Sequence, residues 1–142
     1  MDMKKIFFLF FCLGFLTLYS QDERLEFLSN FLVGDYDMIG KYPDGMLFTG
    51  TVSLRLEKSK LIYVRKFGDT VLKEPVSFEY RTADSVVIAV IRYTVEDIHY
   101  RTEYMIHSDT GNYPRLTGKI YSDRNGSETH GIEALFFRAE RK

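Results

Sequence analysis

The sequence predicts an all-β domain: an up-and-down antiparallel barrel of eight strands with a short N-terminal helix, following a signal peptide. Three observations point there. Eight runs rich in β-branched and aromatic residues follow one another from residue 35 onward. Their separators are too short for parallel crossovers or Greek-key returns, so neighbouring strands must pair as hairpins. Finally, roughly 120 residues without a disulfide must bury a core and dispose of two sheet edges, and closure into a barrel does both.

Residues 1–20 form the expected signal peptide. Lys4 and Lys5 precede an uncharged run, Ile6 to Leu18, which ends at Ser20 ahead of Gln21. That is the basic, apolar and small-residue order of a secretory leader. The run is shorter than the ~20 residues a spanning helix needs, and no second such run follows, so no membrane span is expected in 21–142. An uncleaved N-terminal anchor is the alternative, given Leu18 at the third position before the cut. Cys12 lies inside the run, so domain 21–142 has no cysteine and no disulfide or thiol chemistry. The expected location is periplasmic or extracellular.

A short helix is expected within 22–32, where Leu25, Leu28, Phe31 and Leu32 recur at helical spacing. Strands are then expected at 35–42, 46–57, 60–67, 70–81, 85–94, 97–107, 113–122 and 130–139. The punctuation between them is turn chemistry: Pro43-Asp44-Gly45, Lys58-Ser59, Gly68-Asp69, Ala83-Asp84, Glu96-Asp97, residues 108–112 and residues 123–127. An outer-membrane barrel would need one charge-free face on every strand. Arg55, Glu57, Arg65 and Lys66, together with the charged end Arg138 to Lys142, argue against it.

Gly34-Asp35-Tyr36 opening the first strand after a short helix, followed by eight meandering strands, resembles the lipocalin-like (calycin) barrels, with Tyr36 where lipocalins carry Trp. The resemblance implies an exported carrier of a small apolar or amphipathic ligand.

Charge narrows the partners. Without Asp2, Lys4 and Lys5, residues 21–142 carry 17 basic and 19 acidic side chains, and no basic surplus is left to neutralise phosphates, so nucleic acid is not expected. Tyr80-Arg81, Arg92-Tyr93 and Tyr100-Arg101 are not stacking-plus-phosphate pairs either, because strand alternation sends their members to opposite faces.

The turns also fix which side chains point inward. If Lys58-Ser59 is a two-residue turn, Val52 stands opposite Arg65 and Leu54 opposite Tyr63, which puts Arg65 inside, with room left by Gly50. Carried onward, the register sends Leu72, Glu74, Val76, Phe78 and Tyr80 inward, then Val87, Ala89, Ile91 and Tyr93, then Ile98, Tyr100, Thr102, Tyr104 and Ile106. Ser77, Glu79, Arg81, Arg92, His99, Arg101, Glu103 and His107 face out. The loop after Ser108 is too long to carry register, so the last two strands are not oriented.

An interior guanidinium needs an anion, and interior phenols need partners. Two readings follow. In one, Arg65 with Tyr63, Tyr80, Tyr100 and Tyr104 anchors the polar head of an amphipathic ligand whose apolar part lies against Phe78, with Glu74 nearby. In the other, Arg65 pairs with Glu74 and the rings are core. Arg115 and Glu133 are expected on adjacent strands, able to pair. His99, Glu103 and His107 are too widely spaced along one strand to converge on a metal, and no nucleophile, base and orienting group stand together. No metal, cofactor or catalysis is therefore expected, with an isomerase or cyclase as the remote enzymatic case. The leading expectation is a non-enzymatic small-ligand-binding barrel. The alternative is a structural or interaction protein of the cell envelope, its barrel filled by its own side chains. No protein partner is identified by the sequence.

Overall fold

The computed structural model describes residues 23–67, 70–81, 86–125 and 130–139. The expected signal peptide with Cys12, the turns at 68–69 and 83–84, and the later part of 123–127 lie outside them. A helix covers 23–31. Its Ser29 and Asn30 side chains donate to the carbonyls of Leu25 and Glu26, both at 2.9 Å.

Eight strands follow: β1 (Gly34–Lys41), β2 (Leu47–Glu57), β3 (Lys60–Phe67), β4 (Thr70–Arg81), β5 (Val86–Val95), β6 (Ile98–Ser108), β7 (Pro114–Ser122) and β8 (Gly131–Phe137). Each pairs antiparallel with its sequence neighbours, and β8 returns to β1, so the barrel is closed and up-and-down. Strand β8 ends at Phe137, short of the expected 139, although the Arg138 amide still donates to the Asp35 carbonyl at 2.8 Å, at the next position of the β1–β8 register.

The hairpins set the register. Lys58 and Ser59 have φ of 48° and 64°, and Glu96 and Asp97 have 49° and 61°. Positive φ at both central residues is the two-residue turn whose twist matches that of paired strands. Consequently Glu57 faces Lys60, Leu54 faces Tyr63 and Val52 faces Arg65, while Val95 faces Ile98. The same alternation puts Leu72, Glu74 and Phe78 inside on β4, and Ala89, Ile91 and Tyr93 inside on β5. The last strands are oriented by Leu116 opposite Ile106, Gly118 opposite Tyr104 and Glu133 opposite Gly118. Gly50 does not make room for Arg65, contrary to expectation. It stands opposite Met38, whose Cε would lie 2.9 Å from a Cβ there, so the methionine already fills that space.

One end, called lower here, carries the 58–59 turn and the loop 109–113. It is closed by Leu32, Tyr36 and Phe137: the Tyr36 hydroxyl donates to the Leu32 carbonyl at 2.6 Å, and Phe137 meets the Tyr36 ring edge-on and stacks on Tyr113. Above them Val52, Leu54, Tyr63, Ile91, Tyr104, Leu116, Ile120 and Leu135 are buried and fill the interior. The upper end carries the 42–46 and 96–97 turns and the 3-10 turn Asp123–Asn125.

The outer face of β4, β5 and β6 holds an interlocked set of charges. Glu79 pairs with Arg81, Arg92 and Arg101 at 3.0, 2.5 and 3.2 Å, and Glu103 pairs with Arg81 and Arg101 at 2.9 and 2.5 Å. By register Val90 lies between Ser77 and Glu103 on this outer face, yet it is fully buried. Long charged side chains cover apolar surface with their stems while keeping their heads wet.

Candidate functional site

Strand β3 delivers Arg65 to the interior and β8 delivers Glu133 to meet it. Their direct neighbours do not compete: Arg65 stands between Val52 and Leu72, and Glu133 between Gly118 and Gly40. The room above the two glycines is taken by rings, Phe48 over Gly40 and Tyr104 over Gly118, which close around the carboxylate. The Arg65 Nη1 donates to Glu133 Oε2 at 3.2 Å, with both side chains fully shielded from water. The guanidinium also lies over the Phe48 ring, 4.7 Å from its centroid, and donates from Nη2 to the Tyr42 hydroxyl at 3.4 Å. Phe48 in turn packs against Tyr42, with ring centroids 4.4 Å apart.

Tyr104 completes the carboxylate's surroundings. Its hydroxyl donates to Glu133 Oε1 and lies 3.4 Å from the Tyr63 hydroxyl. Gly118 makes this possible, since a Cβ there would stand 2.7 Å from Tyr104 Cδ1 and 2.8 Å from the Glu103 carbonyl oxygen.

Burial pushes the Glu133 carboxyl up to about 7, and the Arg65 cation offsets only part of that. Burial also works against the Arg65 charge, but Tyr63 and Glu133 outweigh it and the guanidinium stays cationic. Tyr63 and Tyr93 are both raised by burial, with Glu133 adding to the effect. The buried Tyr93 and Thr102 hydroxyls are close enough for Thr102 to offset a little of the Tyr93 rise, yet neither has a partner at hydrogen-bonding geometry among the described residues.

Above this layer the interior opens. A cavity of about 990 Å³ lies at the upper end, bounded below by Tyr42, Leu72, Tyr93 and Tyr100, on its sides by Met46, Val71, Val95 and Ile98, and at its rim by Asp44, Glu96 and Arg124. Tyr93 and Tyr100 stack, with centroids 5.2 Å apart and planes 12° from parallel. Arg65 is not part of its wall.

The residues singled out from the sequence therefore divide. Arg65, Tyr63 and Tyr104 come together around Glu133, and Tyr100 lines the open cavity. Phe78 and Tyr80 face inward in the other half of the barrel, where Tyr80 stands opposite Val87 and is 38% exposed, and they join neither group. Glu74 faces Tyr63 and is half-buried, lining a cleft with Tyr93 and Tyr100. The expected Arg65–Glu74 pair is replaced by Arg65–Glu133: Glu74 is only half-buried and keeps access to water, whereas the buried Glu133 has Arg65 as its one cation among the described residues. The expected Arg115–Glu133 pair is not formed either. Arg115 stands opposite Phe136, faces out and lies over that ring at 5.3 Å.

Two members of the site are not read as such from the sequence: Glu133 is given to Arg115 instead of Arg65, and Tyr42 is not singled out. Glu133 is the one charge on the alternating face Gly131, Glu133, Leu135 and Phe137, a signal that register on β8 would have made readable. Tyr42 closes the expected strand 35–42, whose faces are not assigned from the sequence; it sits just beyond the end of β1, in a turn closed by the Tyr42 amide on the Met46 carbonyl at 2.8 Å. His99 and His107 lie on the outer face beside Thr94 and Thr117. Among the described residues no three His, Cys, Asp or Glu side chains come together in a way that could hold a metal.

The chain matches no protein-family model, no curated protein sequence and no solved structure. What stands is the architecture itself, a closed eight-stranded antiparallel barrel.

Proposed function

We propose that this protein is an exported, non-enzymatic barrel that binds a small apolar or amphipathic molecule in its upper cavity. The observation that carries this reading is the opening of about 990 Å³ above Tyr42, Leu72, Tyr93 and Tyr100. A concave, mostly apolar pocket with a few polar groups at its base is the usual form of a small-molecule site. The charged outer face of β4 to β6 supports a barrel surrounded by water rather than lipid. The leader-like residues 1–20 support export.

The test is native mass spectrometry, followed by denaturing extraction, of the full chain produced in its own host and of its Ile98→Trp variant, which fills the cavity from its side wall. A small molecule that accompanies the parent and is lost from the folded variant supports the carrier. A parent that is repeatedly free of any adduct contradicts it.

A second reading has its own observation. The layers around Tyr63, Arg65 and Tyr104 are closed by the protein's own side chains, so the barrel also suits a structural or interaction protein of the envelope that works through its outer surface. An empty cavity in the same experiment favours that reading.

A further inference from the structure

Resting on the carrier reading above, we infer that the upper cavity selects an uncharged, flat molecule bearing a carbonyl-type acceptor, and that Tyr42 supplies the hydrogen bond that holds it. Three observations lead there. Arg65 donates to the Tyr42 oxygen, so the proton of that hydroxyl points elsewhere. No acceptor for it is found among the described residues, while Tyr42 is half-buried and lines the cavity. The site therefore presents one donor, polarised by the cation behind it.

Charge excludes an anion as the best occupant. Arg65 is turned to Glu133 at 3.2 Å and is fully buried, shut off from the cavity, and the rim has two acids, Asp44 and Glu96, to one base, Arg124. A carboxylate entering here would not reach the buried Arg65 cation, would face the acidic rim and would lose its hydration. Shape adds the third constraint. Tyr93 and Tyr100 form a nearly parallel pair in the wall, and a planar conjugated ring extends such a stack in the offset geometry aromatic rings prefer.

Three probes sharing one ring system test this by titration calorimetry with the full chain at neutral pH: 2-acetylnaphthalene, which has the acceptor; 2-ethylnaphthalene, which lacks it; and 2-naphthoate, which is charged. The acetyl probe is expected to bind about tenfold more tightly than either of the others, the worth of one well-made hydrogen bond to a polarised donor. Tyr42→Phe should erase its advantage over the ethyl probe while leaving ethyl affinity unchanged, which also shows the variant to be folded. Tightest binding of naphthoate, or an acetyl preference that survives Tyr42→Phe, overturns the inference and leaves the carrier standing. Failure of all three probes to bind, joined with an adduct-free native mass, overturns both.

Discussion

Two groups of ion pairs divide this barrel, and they are made of the same residue types. On the outside Glu79 and Glu103 share Arg81, Arg92 and Arg101, all in reach of water. On the inside Arg65 and Glu133 have one another, with the Tyr42, Tyr63 and Tyr104 phenols and the Phe48 ring among their neighbours, and both side chains are shielded from solvent. In the first group each partner can be replaced by solvent. In the second, losing a partner strands a charge in a medium where the interaction is strong and the alternative is absent. The contrast teaches that the interior pair fixes which side chains fill the barrel, while the exterior network keeps the surface charged and covers Val90 with its stems.

Breaking the interior pair should have the largest effect. Arg65→Ala leaves Glu133 buried without its cation, and an equilibrium denaturant titration should show a loss of about 3 to 5 kcal/mol. The same pair gives a pH signature. The Glu133 carboxyl is raised in the fold from an ordinary 4.5 to about 7, so folding favours its protonated form. That contribution is complete below about 4.5 and is lost as pH rises toward about 7. Stability measured across this window should fall with rising pH in the parent and be flatter in Glu133→Gln. The surface carboxylates act with the opposite sign and lower down. Asp35 is lowered by hydrogen bonds from Ser53 and Arg55, and Glu79 by its bond from Arg92, so their contribution is lost only as pH falls below the ordinary carboxylate range.

Gly118→Ala should come next, costing about 1 to 3 kcal/mol by thermal or chemical unfolding. The new methyl collides with both the Tyr104 ring and the Glu103 carbonyl. Because it displaces Tyr104 from Glu133, a change in the tyrosine absorbance difference spectrum should accompany the loss. A smaller change of opposite sign is expected at the 58–59 turn. Lys58 and Ser59 hold positive φ, which Asn and Gly adopt at less cost, so Lys58→Asn with Ser59→Gly should raise stability by about 1 kcal/mol. The smallest effect belongs to the exterior network. Glu79→Gln should cost under about 1 kcal/mol, and less still in high salt.

The part of this contrast that was legible in the sequence is the part carried by short turns. Two-residue connections such as Lys58-Ser59 and Glu96-Asp97 convert strand alternation into an assignment of faces, which is how Arg65, Tyr63 and Tyr104 are read as interior and Glu79, Arg92 and Arg101 as exterior. That reading stops at the loop 109–113, where Asp109 gathers the amides of Gly111 and Tyr113 on its side chain at 2.9 Å and the chain loses a simple count. Glu133 lies beyond that loop. The acid paired with Arg65 is thus three strands away around the wall, across β2, β1 and β8, and only barrel closure brings it near. Adjacent-strand logic offers Glu74 for Arg65 and Arg115 for Glu133, because it sees ladders and not the interior they enclose. Tyr42 is hidden for another reason. It ends the expected strand 35–42, and the register is carried forward from the 58–59 turn and not back across Pro43-Asp44-Gly45.

The most direct test of the contrast is a pair of double-mutant cycles measured by denaturant unfolding, Arg65→Met with Glu133→Gln inside and Arg92→Met with Glu79→Gln outside. The account predicts a coupling of about 2 to 3 kcal/mol for the interior pair and under about 1 kcal/mol for the exterior one. Equal, small couplings would contradict it, since they would mean that water reaches Arg65 and Glu133 and that the barrel is open well below Tyr42.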